Sequence, residues 1–172
     1  MRPKLCTIGF AGKTAEEFFR LLEQGGVRTV IDVRENRIGQ LSGYARFPDI
    51  AFFLERVGSI GYRYEPALAP TPEIRERYRQ TKDWPGYEGA FLALMRERGF
   101  PGGFSLENGD GAVAFLCSEP GPERCHRRLV AELLAEHWRK QGDAAEIQHL
   151  VKPEAPRAAP RKRRKDDGTD PQ

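Results

Sequence analysis

The first 33 residues constrain the fold more than any other part of the chain. Leu5-Cys6-Thr7-Ile8 is a short apolar run stopped by Gly9. Thr14-Ala15-Glu16-Glu17 has the spacing of a capping box, in which the Thr14 hydroxyl accepts from a backbone N–H and the Glu17 carboxylate reaches back. The helix it opens carries Phe18, Phe19, Leu21 and Leu22 and ends at Gly25-Gly26. Val27-Arg28-Thr29-Val30-Ile31-Asp32-Val33 is the next strand, rich in β-branched residues. A strand, a crossover helix and a strand make a βαβ unit, and that implies parallel pairing.

The same alternation continues. A polar stretch over 34–47 is too long for an ordinary connection and reads as a functional or mobile loop. A helix over 50–57 and a strand over 62–65 follow. Thr71-Pro72-Glu73 starts a strongly polar helix that runs to 80. Its Arg75, Arg77 and Arg79 are balanced by Glu73 and Glu76 and read as a solvated face. A second helix over 87–98 is amphipathic through Phe91, Leu92, Leu94 and Met95. Residues 112–117 are the clearest buried strand. Pro122 opens a helix to 140, and 147–151 is a last short strand. The pattern predicts an α/β three-layer sandwich around a mainly parallel sheet of about five strands, Rossmann-like in architecture.

Charge divides the chain in two. Of 28 basic and 25 acidic residues, seven and four fall in 152–172, leaving 21 of each sign in 1–151. The basic excess therefore belongs to the last 21 residues. There the apolar residues are three alanines beside four prolines and Arg161-Lys162-Arg163-Arg164-Lys165. We expect one domain over 1–151 and a disordered basic tail over 152–172. A nucleic-acid partner would bind through that tail. No apolar run approaches the ~20 residues of a membrane span, and the first residues lack the apolar stretch of a signal peptide. Three cysteines are too few for a disulfide scaffold. The expectation is a cytoplasmic protein with no membrane partner.

Chemistry concentrates in Cys117-Ser118-Glu119-Pro120-Gly121-Pro122-Glu123-Arg124-Cys125-His126-Arg127. Cys117 ends a strand, and Cys125 and His126 fall in or near the first turn of a helix. Ligands bind outside the carboxyl ends of strands in open α/β sheets. A helix N-terminus offers free N–H groups and positive potential, which favour a thiolate or a bound anion. Three readings are open. Cys117 is a nucleophile with His126 as base or acid. Cys117 and Cys125 are a redox pair. Or Cys117, Cys125 and His126 ligate a metal, with Cys6 as a fourth ligand only if its strand lies beside that of Cys117. Against these stands a structural Cys117 beside a surface His126.

Asp32-Val33-Arg34 sits at another strand end. Asp32 either acts as a general base or fixes an arginine, and Arg34 can hold an anion in a planar fork. Arg37, Tyr44, Arg46, Phe47, Arg63 and Tyr64 interleave charge and aromatic rings. That suits a nucleotide or single strand, or ordinary loop packing.

Thr7-Ile8-Gly9, Asp32-Val33-Arg34 and the Cys-x7-Cys-His-Arg element at 117–127 together resemble the family called domain of unknown function 488. Glu119, Pro72-Glu73-Ile74-Arg75 and Gln148-His149-Leu150 fit it too, so the resemblance spans about 5–151. It implies an α/β fold and no settled reaction. Its functional-looking positions fall on Asp32, Arg34, Cys117, Glu119, Cys125, His126 and Arg127. A fainter architectural likeness is to rhodanese-type sulfurtransferases, which also carry an Asp-Val-Arg strand end and a cysteine between strand and helix.

The leading expectation is a thiol-dependent enzyme without a resident cofactor. Cys117 is nucleophile or sulfur carrier, His126 acid/base, and Asp32 orients Arg34 or the substrate. Arg34, Glu119, Cys125 and Arg127 surround an anionic small molecule, a nucleotide or a nucleic-acid base. The alternative is a nucleic-acid-associated accessory module with a structural metal or Cys pair.

Overall fold

The computed structural model describes residues 4–39, 42–106 and 111–153. The expected tail lies outside the described residues from 154 on. The elements are β1 (Lys4–Gly9), α1 (Ala15–Gln24), β2 (Val27–Asp32), α2 (Asp49–Gly58), β3 (Gly61–Tyr64), α3 (Pro72–Thr81), α4 (Trp84–Glu97), β4 (Ala112–Cys117), α5 (His126–Lys140) and β5 (Ile147–Leu150). All five strands are parallel, in the order β3-β2-β4-β1-β5.

The sheet is an α/β core covered on both faces, because alternate residues of each strand point to opposite sides. Leu5, Ile31, Val33, Val113 and Phe115 pack with Phe91 and Met95 of α4 and Leu129, Val130 and Leu134 of α5. Cys6, Ile8, Val30, Ala114 and Leu116 pack on the other side with Phe18 and Leu22 of α1 and Ile50 and Leu54 of α2. All six residues of β4 are buried. Among the described residues no helix is long and apolar enough to cross a membrane.

Three expectations change. The strands of the N-terminal βαβ unit are parallel but not neighbours, because β4 lies between β1 and β2 and pairs with both. The helix expected from Tyr87 begins at Trp84. Asp83 accepts from the Gly86 N–H at 3.0 Å, and Pro85 suits the first turn. The helix expected from Pro122 begins at His126, because Cys125 holds an extended N-cap conformation (φ −143°, ψ 134°). The capping box at Thr14 and Glu17 is formed as expected.

The loop from Cys117 to Cys125 is fastened to the end of β1. Ala11 N donates to Ser118 O (3.0 Å), and Lys13 Nζ donates to Pro120 O (3.3 Å). Gly9 lies level with Cys117 in the sheet, and a Cβ on it would occupy the place of the Glu119 carbonyl. The glycine of Thr7-Ile8-Gly9 is thus required by a close approach of two backbones. Thr7, level with His149, hydrogen-bonds its Nδ1 at 2.8 Å and ties β1 to β5. Gly9→Ala should lower stability by about 1–3 kcal/mol, as overpacking does. It should also slow Cys117 alkylation in the folded state. Urea unfolding and native-state alkylation measure the two effects, and an unchanged urea midpoint would refute the close approach.

Candidate functional site: a cysteine–histidine cluster at the centre of the sheet edge

The site forms because the β4 end is flanked by two strands whose chains leave toward the other face. β1 and β2 run into α1 and α2 on one side, whereas β4 runs into α5 on the opposite side. That is the switch point at which open α/β sheets leave a crevice. In register, Gly9 stands beside Cys117 and Asp32 beside Leu116. The three motifs therefore meet at one end of three adjacent strands.

His126 is the first residue of α5 and is buried beside the sheet. Its Nε2 lies 2.9 Å from the Val33 carbonyl, and Val33 is held on β4 by its own N–H to Leu116 O (3.1 Å). A carbonyl only accepts, so Nε2 carries the proton. Nδ1 is left facing Cys117 Sγ at 3.7 Å. The Phe91 ring, 5.6 Å away between centroids, backs the imidazole. A cysteine beside an imidazole oriented by a third group has the geometry of an activated nucleophile.

Electrostatics separates the two sulfurs. The Cys125 S–H donates to the Cys117 sulfur and holds the Cys117 thiol well below its ordinary range; His126 and Arg127 add to this against the penalty of burial. Burial pushes Cys125 far the other way, and the neighbouring Cys117 thiolate pushes it further. For His126 burial acts to lower the pKa, but the Cys117 thiolate outweighs it and the net direction is up. These directions favour a Cys117 thiolate beside an imidazolium, with Cys125 as a thiol.

Arg127 does not line the cavity. The sequence expectation placed it among the substrate-binding residues, but its side chain is 1% exposed and lies behind the sulfurs. Nη1 donates to the Glu119 carbonyl (2.7 Å) and to Cys125 Sγ (3.2 Å). It holds the loop closed and places positive charge next to both thiols. Glu119 is exposed, and the contact it gives the loop is through its main chain; its side chain is at the cavity wall.

Asp32 and Arg34 are locked together. Arg34 Nε and Nη2 donate to the two carboxylate oxygens at 2.8 and 2.6 Å, and Nη1 donates to Ala45 O at 2.9 Å. The Arg34 main-chain N–H and the Tyr62 hydroxyl also donate to Asp32, at 3.1 and 2.7 Å. Burial and that bond to Asp32 push the Tyr62 phenol up to about 12, so it is a permanent donor. With four donors on its two oxygens, Asp32 is placed to fix Arg34, the second of its two sequence readings. Tyr62 carried no sequence signal beyond being an aromatic residue on a strand.

A cavity of about 950 Å³ opens over the cluster. Cys117, Cys125 and His126 form its floor with Arg34, and Tyr78, Trp84 and Tyr87 form an aromatic side. Trp84 and Tyr87 stack at 5.0 Å. The same helix as Tyr78, α3, also lines the cavity with Arg75, Arg77 and Arg79, and Arg124 adds a further cation. The α3 arginines are exposed, as a solvated face requires, and this exposed face also walls the cavity. Arg75 pairs with Glu35, and Arg79 with Glu76. Among the described residues no ion pair engages Arg77 or Arg124.

Most of the aromatic and basic residues singled out in and after the long loop are consumed by packing, whereas Arg46 is exposed. Arg37 lies between Phe47 and Tyr64, 3.8 and 3.9 Å from their centroids, and Tyr44 donates to the Phe10 and Lys13 carbonyls. Arg63 bonds Glu65 and the Ser105 carbonyl.

The Cys117, Cys125 and His126 ligand atoms lie within 4.8 Å of one another. They could hold one divalent cation, with the cavity at the fourth position. Cys6 cannot complete that set. Its strand does lie beside β4, but it is level with Ala114, about 10 Å down the sheet, and packs into the opposite face.

Residues 14–134 match the family model described as domain of unknown function DUF488, and the chain belongs to that family. No curated protein and no solved structure matches it.

Replacing one member of the buried Asp32–Arg34 pair strands the other's charge. Asp32→Asn should cost about 3–5 kcal/mol in chemical denaturation. A loss below about 1 kcal/mol, the range of an exposed pair, would show that the pair does not hold this strand end.

Proposed function

We propose that this member of the DUF488 family is a cytoplasmic thiol-dependent enzyme whose nucleophile is the Cys117 thiolate. The observation that carries the reading is the Cys117 Sγ–His126 Nδ1 approach, with Nε2 committed to the Val33 carbonyl. A thiol in an apolar core has no use for such a partner, and this one forms the floor of a cavity. In the first step the thiolate attacks an electrophilic centre, and His126 delivers its Nδ1 proton to the leaving group. In the second, His126 takes a proton back from the attacking acceptor and Cys117 is released.

The cavity wall supports an anionic substrate. Arg34 is held at the floor by Asp32, and Arg77 and Arg124 bring cations with no ion pair among the described residues. The first-turn N–H groups of α5 add positive potential, since the Cys125 side chain does not cap them. Trp84 and Tyr87 offer a flat apolar side to a ring such as a nucleobase. A small anion or nucleotide fits this combination.

A second reading has its own observation. Three ligand atoms within 4.8 Å, with the imidazole N–H on a carbonyl, also suit a bound divalent metal. Such a site would silence the nucleophile, so cysteine reactivity separates the readings.

Native alkylation, resolved by residue, tests the proposal. Cys117 should react with iodoacetamide with a midpoint well below the ~8.5 of a free thiol, while Cys6 and Cys125 react slowly. His126→Ala should raise that midpoint. A Cys117 that reacts no faster than Cys6, or only after a chelator is added, would overturn the enzyme reading. Charge selectivity gives a further check. Relative to a free thiol, Cys117 should prefer iodoacetate over iodoacetamide by about tenfold at low salt, as expected for a cation-lined cleft. Arg77→Ala combined with Arg124→Ala should reduce the preference. Equal ratios in the wild type and free thiol would rule out an anionic substrate.

A further inference from the structure

We propose that Cys117 and Cys125 are a two-thiol redox pair, in which Cys125 discharges an oxygen adduct formed on Cys117 by a hydroperoxide and closes an intramolecular disulfide. This rests on the reading of Cys117 as an activated thiolate, and it gives Cys125 a role which that reading leaves empty.

The argument starts from position. Both sulfurs face the same cavity, and they lie within 4.8 Å of each other and of the imidazole. A disulfide needs its two sulfurs to close to about 2.05 Å. The segment that must give is the N-cap of α5, where Cys125 has an extended backbone and its side chain makes no capping bond. Turning its sulfur toward Cys117 therefore breaks no helix cap, and the contact that must yield is the one from Arg127 Nη1 at 3.2 Å. Cys117, at the end of a fully buried central strand, is the fixed partner.

The two thiols differ in the direction the chemistry needs. The attacking group must be a thiolate, and Cys117 has the His126 Nδ1 3.7 Å from its sulfur to hold the proton it gives up. The resolving group must stay protonated until the adduct forms, and burial holds Cys125 as a thiol. Once the charge on Cys117 is gone, the force that keeps Cys125 protonated weakens. The Arg127 guanidinium, 3.2 Å from Cys125 Sγ, is already placed to donate to the new thiolate.

The atoms balance in two steps. The Cys117 thiolate attacks one oxygen of the hydroperoxide. The S–O bond forms, the O–O bond breaks, and the leaving oxygen takes the Nδ1 proton from the His126 imidazolium and departs as an alcohol, or as water when the oxidant is hydrogen peroxide. Sulfur has lost two electrons to the peroxide. His126, now neutral, takes the proton of Cys125. The Cys125 thiolate attacks the Cys117 sulfur, the S–S bond forms, the S–O bond breaks, and hydroxide leaves with the His126 proton as water. The sum is two thiols and one hydroperoxide giving one disulfide, one alcohol and one water. A small dithiol restores the pair. While the disulfide stands the nucleophile is masked, so oxidant would switch off the reaction proposed above.

The test uses the reduced full-length chain and hydrogen peroxide, followed by non-reducing peptide mapping and a dimedone trap for sulfenic acid. In the wild type one equivalent of peroxide should remove two thiols, link the peptides carrying Cys117 and Cys125, and leave Cys6 free. Dithiothreitol should restore both thiols and the fast alkylation of Cys117. Cys125→Ser should yield a dimedone adduct at Cys117 and then sulfinic acid as peroxide is raised, with no intramolecular link. Cys117→Ser should leave Cys125 unreacted at the same dose. The inference is overturned if wild-type Cys117 is oxidised to sulfinic acid while Cys125 stays a free thiol, or if both thiols survive until a chelator is added. It also fails if Cys117 alkylates rapidly at low pH but does not link to Cys125. In that last case the nucleophile reading stands while the pair does not. Slow alkylation of Cys117 in the untreated protein would instead remove both.

Discussion

Everything at the functional end of this molecule depends on where β4 lies. A strand buried along its whole length needs a neighbour on each side, and β4 takes β2 and β1. Those neighbours send their chains to one face of the sheet, and β4 sends its own to the other. The residue at the end of β4 therefore faces a crevice among the described residues. Parallel pairing requires a crossover between successive strands, and strand twist gives such crossovers their hand. Cys117 inherits its exposure to the cavity from this arrangement.

What that cysteine can do is decided by a hydrogen bond it does not make. The Val33 carbonyl accepts from the Nε2–H of His126 and turns Nδ1 toward the sulfur. Val33 is itself positioned by pairing with Leu116, next to Cys117 in the chain. Strand pairing therefore sets the orientation of an imidazole. Arg127 completes the arrangement from behind by joining the loop carbonyl of Glu119 to Cys125. Its Nε has no hydrogen-bond partner among the described residues, a cost for a group so deeply buried.

The sequence made the layers legible because β-branched runs and capping signals are local. Thr14 and Glu17 declare α1, and Ala112-Val113-Ala114-Phe115-Leu116-Cys117 declares β4. Strand order was not legible, since nothing in 5–33 says that a strand from a hundred residues later will enter between its two strands. The cluster of Cys117, Cys125 and His126 could be read from its density alone. The role of Arg127 could not, because an arginine two residues into a helix looks the same from sequence whether it faces solvent or a sulfur. The place of the α3 arginines beside the cavity is not legible for a related reason. Balanced charge on a polar helix signals exposure, and an exposed face can still be the wall of a cleft. Tyr62 was missed because its partner, Asp32, lies thirty residues away in the chain.

The cavity has two walls of different making. One is the floor of buried strand ends, whose residues cannot change without disturbing the core. The other is α3, which buries none of its residues fully and meets the floor side through the Arg75–Glu35 ion pair. Substitutions along α3 thus alter the charge and shape presented to a ligand at little expense to folding. Descendants of one ancestor could keep the same cysteines and histidine while turning to different small molecules. Stability and selectivity can then drift independently, and chains with this cysteine–histidine cluster need not bind the same ligand.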